Sequence, residues 1–130
     1  MVFTIRAVIE VLGYPEEHVK DITGKIIEKL KKEDGIQVLK EKVHNAEKIK
    51  EKFFSCFGEV ELKINDFSRL LYFCSDYLPS NIEILDMDKI SISSREFMIG
   101  INEILERLHN YNILVNNMTN QLKSLEKKEE

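Results

Sequence analysis

The chain opens with an alternation of apolar and polar side chains over residues 2–12. This period of two predicts a β-strand with one buried face. From Pro15 to residue 33 the apolar positions instead recur every three or four residues, which is the period of an amphipathic helix. The pair Asp34-Gly35 is typical of a turn, so we expect the helix to end there.

The middle of the chain carries two further segments with strand character. Residues 53–64 alternate between an apolar face and a mixed face and predict a long strand. Residues 36–46 suit a strand but are also compatible with a helix. A β-hairpin formed by the two segments is the simpler interpretation, and it leaves residues 45–51 as an exposed, charged loop.

Two shorter elements follow the hairpin. Asn65 or Asp66 is suited to cap a short helix that ends before Pro79. Residues 80–87 predict a fourth strand. The resulting order, β-α-β-β-α-β, is that of the ferredoxin-like sandwich. We therefore expect an α+β protein with a ferredoxin-like domain over residues 1–93 and a long helix that serves association over residues 94–130.

The predicted C-terminal helix has the most regular pattern in the chain. It opens with the capping-box sequence Ser93-Ser94-Arg95-Glu96. Apolar residues then recur in steps of four and three, which defines a heptad seam. Its positions are Phe97, Ile101, Ile104, Leu108, Tyr111, Val115, Met118, Leu122 and Leu125. Such a helix spans about 50 Å, whereas a typical strand covers only ~17–20 Å, so we expect a second molecule to cover the far half.

A break in this helix is the alternative. The residues Asn110, Asn112, Asn116 and Asn117 are poor helix formers, and a helix broken there would fold back over the open face of the sheet. We favour association, and a homodimer in particular, because two-fold assemblies are the commonest among soluble proteins. A different protein partner is the other form of association that the seam allows.

Composition limits the class of protein. A chain of 130 residues with 43% hydrophobic residues is expected to form one domain with its own core. No apolar run approaches the ~20 residues that cross a bilayer, and the first residues lack the pattern of a secretion signal. Cys56 and Cys74 are too few for a disulfide framework. We expect a cytoplasmic protein without a membrane segment.

Few residues of the sequence suggest a catalytic, metal-binding or phosphate-binding site. The residues His18, His44 and His109 lie on three different predicted elements and lack the spacing of zinc ligands. An acidic group is compatible with a hard cation but fits a solvated acidic rim better; it comprises Asp76, Glu83, Asp86 and Asp88. The five glycines form no phosphate-binding loop. We therefore expect no catalytic residue, cofactor or metal site, and a non-enzymatic protein.

RNA or ribosome binding is a second hypothesis. Ferredoxin-like RNA binders stack bases on aromatic side chains of the sheet. The residues that would serve here are Phe53 and Phe57 beside Lys40, Lys42 and Lys52. The net charge of −4 argues against this use, and we expect the C-terminal helix to cover the two rings instead. A third hypothesis is an ACT-like regulatory domain that binds a small ligand at a dimer interface, although no pocket signature is present.

Two segments carry a resemblance to other proteins. The sequences FFSCFGEVEL (53–62) and FCSDYLPSNIEIL (73–85) resemble a group of small archaeal proteins with FxEVEL and FCxDYxPSSIEI segments. The resemblance covers about the middle third of the chain and, more loosely, VIEVLG (8–13). Asn81 stands where the group has the second Ser of PSS. The resemblance implies a cytoplasmic archaeal setting and no particular activity.

Overall fold

The computed structural model describes residues 2–129, which form one mixed α+β unit with a five-stranded antiparallel sheet and three helices. Met1 and Glu130, the outer bounds of the two predicted segments, lie outside the described residues. In chain order the elements are β1 (Phe3–Gly13), α1 (Glu16–Lys31), β2 (Ile36–Val43), β3 (Glu47–Lys50), β4 (Phe53–Ile64), α2 (Phe67–Tyr77), β5 (Asn81–Ile84) and α3 (Ser94–Glu129).

The sheet has the strand order β2-β4-β1-β5, with β3 paired to the first residues of β4. The two longest strands, β1 and β4, lie side by side at its centre in a register that pairs Phe3 with Ile64 and Gly13 with Phe54. β2 pairs with the later part of β4, and a bulge lies between Val38 and Lys40. The expected antiparallel pairing of residues 36–46 with residues 53–64 is therefore confirmed, and the helical alternative for residues 36–46 is wrong.

The core lies between one face of the sheet and the helices α1 and α2. The alternation in β1 has the predicted effect, because Phe3, Ile5, Ala7 and Ile9 are all buried. They pack in one cluster with apolar residues of β2 and β4 and with Ile27, Leu30, Leu70 and Phe73 of the two helices. The opposite face, called the open face below, carries the other side chains of β1 and β4.

α3 is continuous from Ser94 to Glu129, so the predicted alternative with a break at Asn110–Asn117 is wrong. The helix packs on α2 and has no comparable contact with the sheet. The expectation that it covers Phe53 and Phe57 is also wrong, since Phe53 stays exposed and Phe57 is half-buried. The first part of the apolar stripe is covered by α2, where the side chains of Phe67 and Leu71 lie against Gly100.

Two segments differ most from the sequence-based expectation. Residues 45–51 were expected to form a loop, but Glu47–Lys50 form β3. β3 pairs with the start of β4, where Lys48 stands opposite Phe54, and so provides partners for backbone groups that β2 does not reach. The fourth predicted strand shrinks from residues 80–87 to Asn81–Ile84. None of the helices within residues 2–129 is long and apolar enough to cross a bilayer.

Candidate functional site

α3 lies along α2, and the two helices run in the same direction. At their starts, the ring of Phe97 stacks on the ring of Phe67 with 5.7 Å between the centroids and 11° between the planes. At the end of α2, Ser75 and Asp76 meet Arg107 of α3. α2 therefore accompanies only the first half of α3.

The two helices approach each other closely at Gly100, which is buried. A Cβ atom at this position would lie 2.8 Å from two ring carbons of Phe67 and 2.9 Å from Leu71 Cδ1. These distances are shorter than van der Waals contact. The absence of a side chain at position 100 therefore permits the close packing of the two helices.

Side-chain contacts of Arg107 link the middle of α3 to the end of α2. Its Nη1 donates hydrogen bonds to Asp76 Oδ1 at 2.6 Å and to Ser75 Oγ at 3.1 Å. The guanidinium carbon lies 4.6 Å from the centroid of the Tyr72 ring, within the range of a cation–π contact. One turn further along, the hydroxyl of Tyr111 donates to the carbonyl of Ser75 at 3.5 Å.

Beyond Tyr111 the helix leaves the domain. Every residue from 112 to 128 is exposed. At 1.5 Å per residue, the segment 112–129 extends for about 27 Å past its last contact with α2. This projecting segment is held by backbone hydrogen bonds of its own helix and by no described side chain of another element.

The heptad seam divides at this point into two parts. Phe97 contacts α2, and Ile101 and Ile104 are half-buried. The remaining members are 45–62% exposed and are called the free seam below: Leu108, Tyr111, Val115, Met118, Leu122 and Leu125. The side chains of Leu105 and Leu114, which flank the seam, are also exposed and widen the apolar stripe. Use of the seam as an interface between molecules stays a prediction.

The open face of the sheet is the second candidate surface. Lys40 stands opposite Glu61 and Lys42 opposite Glu59, which places both lysines on this face with Phe57. Each lysine thus has a carboxylate as its neighbour across the strands. At one end of the face, Phe53 packs edge-on against Tyr14 with 5.7 Å between centroids.

Charges near the centre of the open face are largely paired with one another. The guanidinium of Arg6 lies 2.9 Å from the carboxylate of Glu83, 3.3 Å from Glu61 and 3.6 Å from Glu59. A hydrogen bond to Glu61 is the main reason that the pKa of Arg6 is raised. At the Phe53 end, Lys52 Nζ sits 4.6 Å from the centroid of the Tyr14 ring. The five predicted nucleic-acid residues therefore line one face, but among carboxylates that repel phosphate.

The remaining candidate groups are dispersed. Cys56 is buried, and burial raises the pKa of the half-buried Cys74 thiol, which keeps that thiol in its less reactive form. Within residues 2–129, no three potential His, Cys, Asp or Glu ligands come together as a metal site. Two members of the predicted acidic rim serve in ion pairs, Asp76 with Arg107 and Glu83 with Arg6.

Neither Gly100 nor Arg107 stands out in the sequence as a candidate functional residue. Gly100 has no side chain to contribute to a periodic pattern, and Arg107 is a polar residue beside the seam. The feature that could have identified them is their position. Both flank the apolar stripe on the same side of the helix, seven residues apart. A small residue and a cation there indicate that another helix approaches closely.

Comparison with known proteins identifies a family. Residues 4–130 match the profile of the MJ0538 family, which takes its name from a Methanocaldococcus protein. This origin agrees with the resemblance to a group of archaeal proteins. Neither the curated proteins nor the solved structures yielded a match. Because the profile covers nearly the entire sequence, the chain belongs to the MJ0538 family.

Proposed function

We propose that this protein is a non-enzymatic binding or adaptor protein that forms a homodimer through the free seam of α3. The observation that supports the proposal is a row of six large apolar side chains of α3, each 45–62% exposed, four of which lie on the part of the helix that projects from the domain. From Leu108 to Leu125 the row is about 26 Å long. Contiguous apolar surface of this kind marks association sites in soluble proteins.

The composition of the projecting segment also favours a cover. It contains Asn112, Asn116, Asn117 and Asn120, all poor helix formers. Helices in proteins gain most of their stability from the packing of an apolar face, and the apolar face of this segment is exposed. A continuous helix over residues 112–129 is therefore explained best by an additional molecule that packs on the free seam.

A second copy of the chain fits this surface. The free seam keeps the heptad spacing that lets side chains of one helix insert between those of another. It is also self-complementary, since an identical stripe meets it in a two-fold dimer. The domain itself we infer to be ferredoxin-like, because β4 lies between β1 and β2, the two strands that α1 connects, as in a split βαβ unit.

Measurement of molecular mass tests the proposal. We expect light scattering at tens of micromolar to give about twice the chain mass of 15.3 kDa. Val115→Glu combined with Leu122→Glu should give a monomer, because charges within the seam would have to be desolvated in a dimer. Asn120→Glu with Ser124→Glu adds the same charge on the opposite side of α3 and should leave the dimer intact. A monomeric wild-type protein would refute the proposal.

RNA binding by the open face is the alternative. The observation that favours it is that α3 leaves this face uncovered, with exposed Phe53 and Tyr14 beside Lys52. Such binding predicts retention of single-stranded RNA that weakens steeply with salt. It also predicts weaker binding of Lys40→Ala with Lys42→Ala. Absence of retention at low salt would exclude this alternative.

A further inference from the structure

The free seam continues the same side of α3 that packs on α2. Phe97 and Tyr111, which both contact α2, are fourteen residues apart. Met118 and Leu125 follow at further steps of seven residues. Each step of seven rotates an ideal helix by only about 20°, so the stripe turns by about 80° from Phe97 to Leu125 and by about 40° from Tyr111 to Leu125. α2 therefore occupies the first length of a stripe whose second length is open.

This division restricts how a second α3 can lie on the stripe. In a parallel pair, the N-terminal halves of both helices would stand at the same level. Each copy already has its own α2 at that level, where Phe67 meets Phe97 and Ser75 meets Tyr111. The approaching helix would thus have to pass through the position of α2 or bend away from it.

An antiparallel partner meets no such obstacle. Its α3 would lie on the open length with its C-terminal end pointing back toward the first domain. Its own α2 and its sheet would then lie beyond the free end of the first helix. The stripe of each chain would be covered without interruption, first by its own α2 and then by the second copy.

We propose that two copies pair their α3 helices antiparallel through the free seams, an arrangement that rests on the homodimer proposed above. Antiparallel heptad seams align when the numbers of facing residues have a constant sum. The four members of the free seam beyond Tyr111 pair completely with one another, since Val115 faces Leu125 and Met118 faces Leu122 of the second copy. The two-fold axis passes at the level of residue 120, and the second helix ends opposite Tyr111, where α2 begins to cover the stripe.

The arrangement fixes the shape of the dimer. The two starts of α3 at Ser94 would be separated by roughly 78 Å along the helix pair. The two domains would therefore stand at opposite ends of a two-helix rod, each with its open face accessible. In a parallel pair they would instead stand side by side, at the interaxial distance of about 8–10 Å between the helix starts.

Disulfide trapping distinguishes the two orientations. In the antiparallel dimer, position 125 faces position 115 of the second copy and lies about 15 Å from its own equivalent. We therefore expect oxidised Leu125→Cys and Val115→Cys each to form no cross-link alone. A mixture of the two variants, one carrying a tag, should form the mixed disulfide in high yield. Both positions are exposed in the single chain, so neither substitution disturbs the core.

The controls separate this inference from the proposed function. Wild-type protein oxidised in parallel gives the background of Cys56 and Cys74. A wild-type monomer overturns the homodimer and the orientation together. A dimer in which Leu125→Cys links to itself, with no mixed product from the two variants, overturns the antiparallel orientation alone. Small-angle scattering of the wild-type dimer provides a second readout, since domains side by side would equally contradict the rod.

Discussion

The guanidinium of Arg107 donates a hydrogen bond to the carboxylate of Asp76 at 2.6 Å, which joins the last turn of α2 to the middle of α3. Both side chains are about one-third exposed, so solvent screens the pair only in part. The same guanidinium contacts Ser75 and Tyr72. Together with the hydrogen bond from Tyr111 to the Ser75 carbonyl one turn further along, these contacts are the last side-chain links before α3 leaves the domain, and they therefore set the direction in which the free seam projects.

The first prediction concerns this ion pair. In a double-mutant cycle of Arg107→Met and Asp76→Asn, we expect a coupling of about 1 kcal/mol in the free energy of unfolding. The exposed pair Asp21–Lys25 on α1 is the matched control, and its coupling should be only about 0.3–0.5 kcal/mol. Urea unfolding of the wild type and of six variants, two single and one double for each pair, measures both cycles. Equal coupling in the two cycles would contradict the role assigned to Arg107.

The second prediction compares two glycines that both lie inside helices. Gly24→Ala should raise the free energy of unfolding by about 0.5–1 kcal/mol, because no atom lies within 4 Å of the added Cβ and alanine favours the helix. Gly100→Ala should lower it by about 1–2 kcal/mol, because the Cβ meets the ring of Phe67 at 2.8 Å. Thermal or urea unfolding measures both. A stabilising Gly100→Ala would show that α2 and α3 are not in tight contact.

The pattern of apolar and polar residues predicted those elements that have one buried and one exposed face. The alternation over residues 2–12 marks β1, and the strand predicted at residues 53–64 has the observed bounds of β4. β3 lacks such a pattern because all four of its residues are exposed. It exists because β4 extends beyond β2 and offers backbone groups that need partners. A strand that forms because a neighbouring strand needs hydrogen-bond partners does not require an alternation of apolar and polar residues in its own sequence.

The sequence predicted which residues form the apolar stripe of α3. It did not predict which part of the stripe packs on α2 and which part stays exposed. Heptad spacing identified all nine residues of the seam, because the period depends only on the helix itself. The period does not show which surface packs on the stripe, and the expected cover of Phe53 and Phe57 was therefore wrong. Docking on α2 depends on Gly100 and Arg107, which complement the particular surface around Phe67 and Asp76.

The third prediction concerns the strength of the dimer. Leu122→Ala should weaken dimerisation about 30-fold in Kd, because a two-fold dimer loses two half-exposed leucine side chains worth ~1 kcal/mol each. Asn120→Ala is the control on the opposite side of α3 and should leave Kd nearly unchanged. Sedimentation equilibrium measures both constants. An equal effect of the two substitutions would show that the free seam is not the contact surface.

The fourth prediction concerns stability at high pH. The hydroxyl of Tyr77 donates to Glu33 Oε1 at 2.7 Å, and burial together with this carboxylate raises the pKa of Tyr77. An unfolded tyrosine has a pKa of about 10. Above that pH the unfolded chain releases the phenol proton while the folded protein retains it, so the stability supplied by the contact is present below pH ~10 and lost as the pH rises.

Tyr77→Phe should therefore lower the free energy of unfolding by about 1 kcal/mol near neutral pH, where the hydrogen bond to Glu33 is lost. The same variant should lose less stability than wild type between pH ~9 and ~11, because phenylalanine has no proton to release. Glu33→Gln keeps a hydrogen-bond acceptor but removes the charge, and it should also flatten the fall. Urea midpoints across this range measure all three proteins. Identical slopes for wild type and Tyr77→Phe would show that the Tyr77–Glu33 contact does not control stability at high pH.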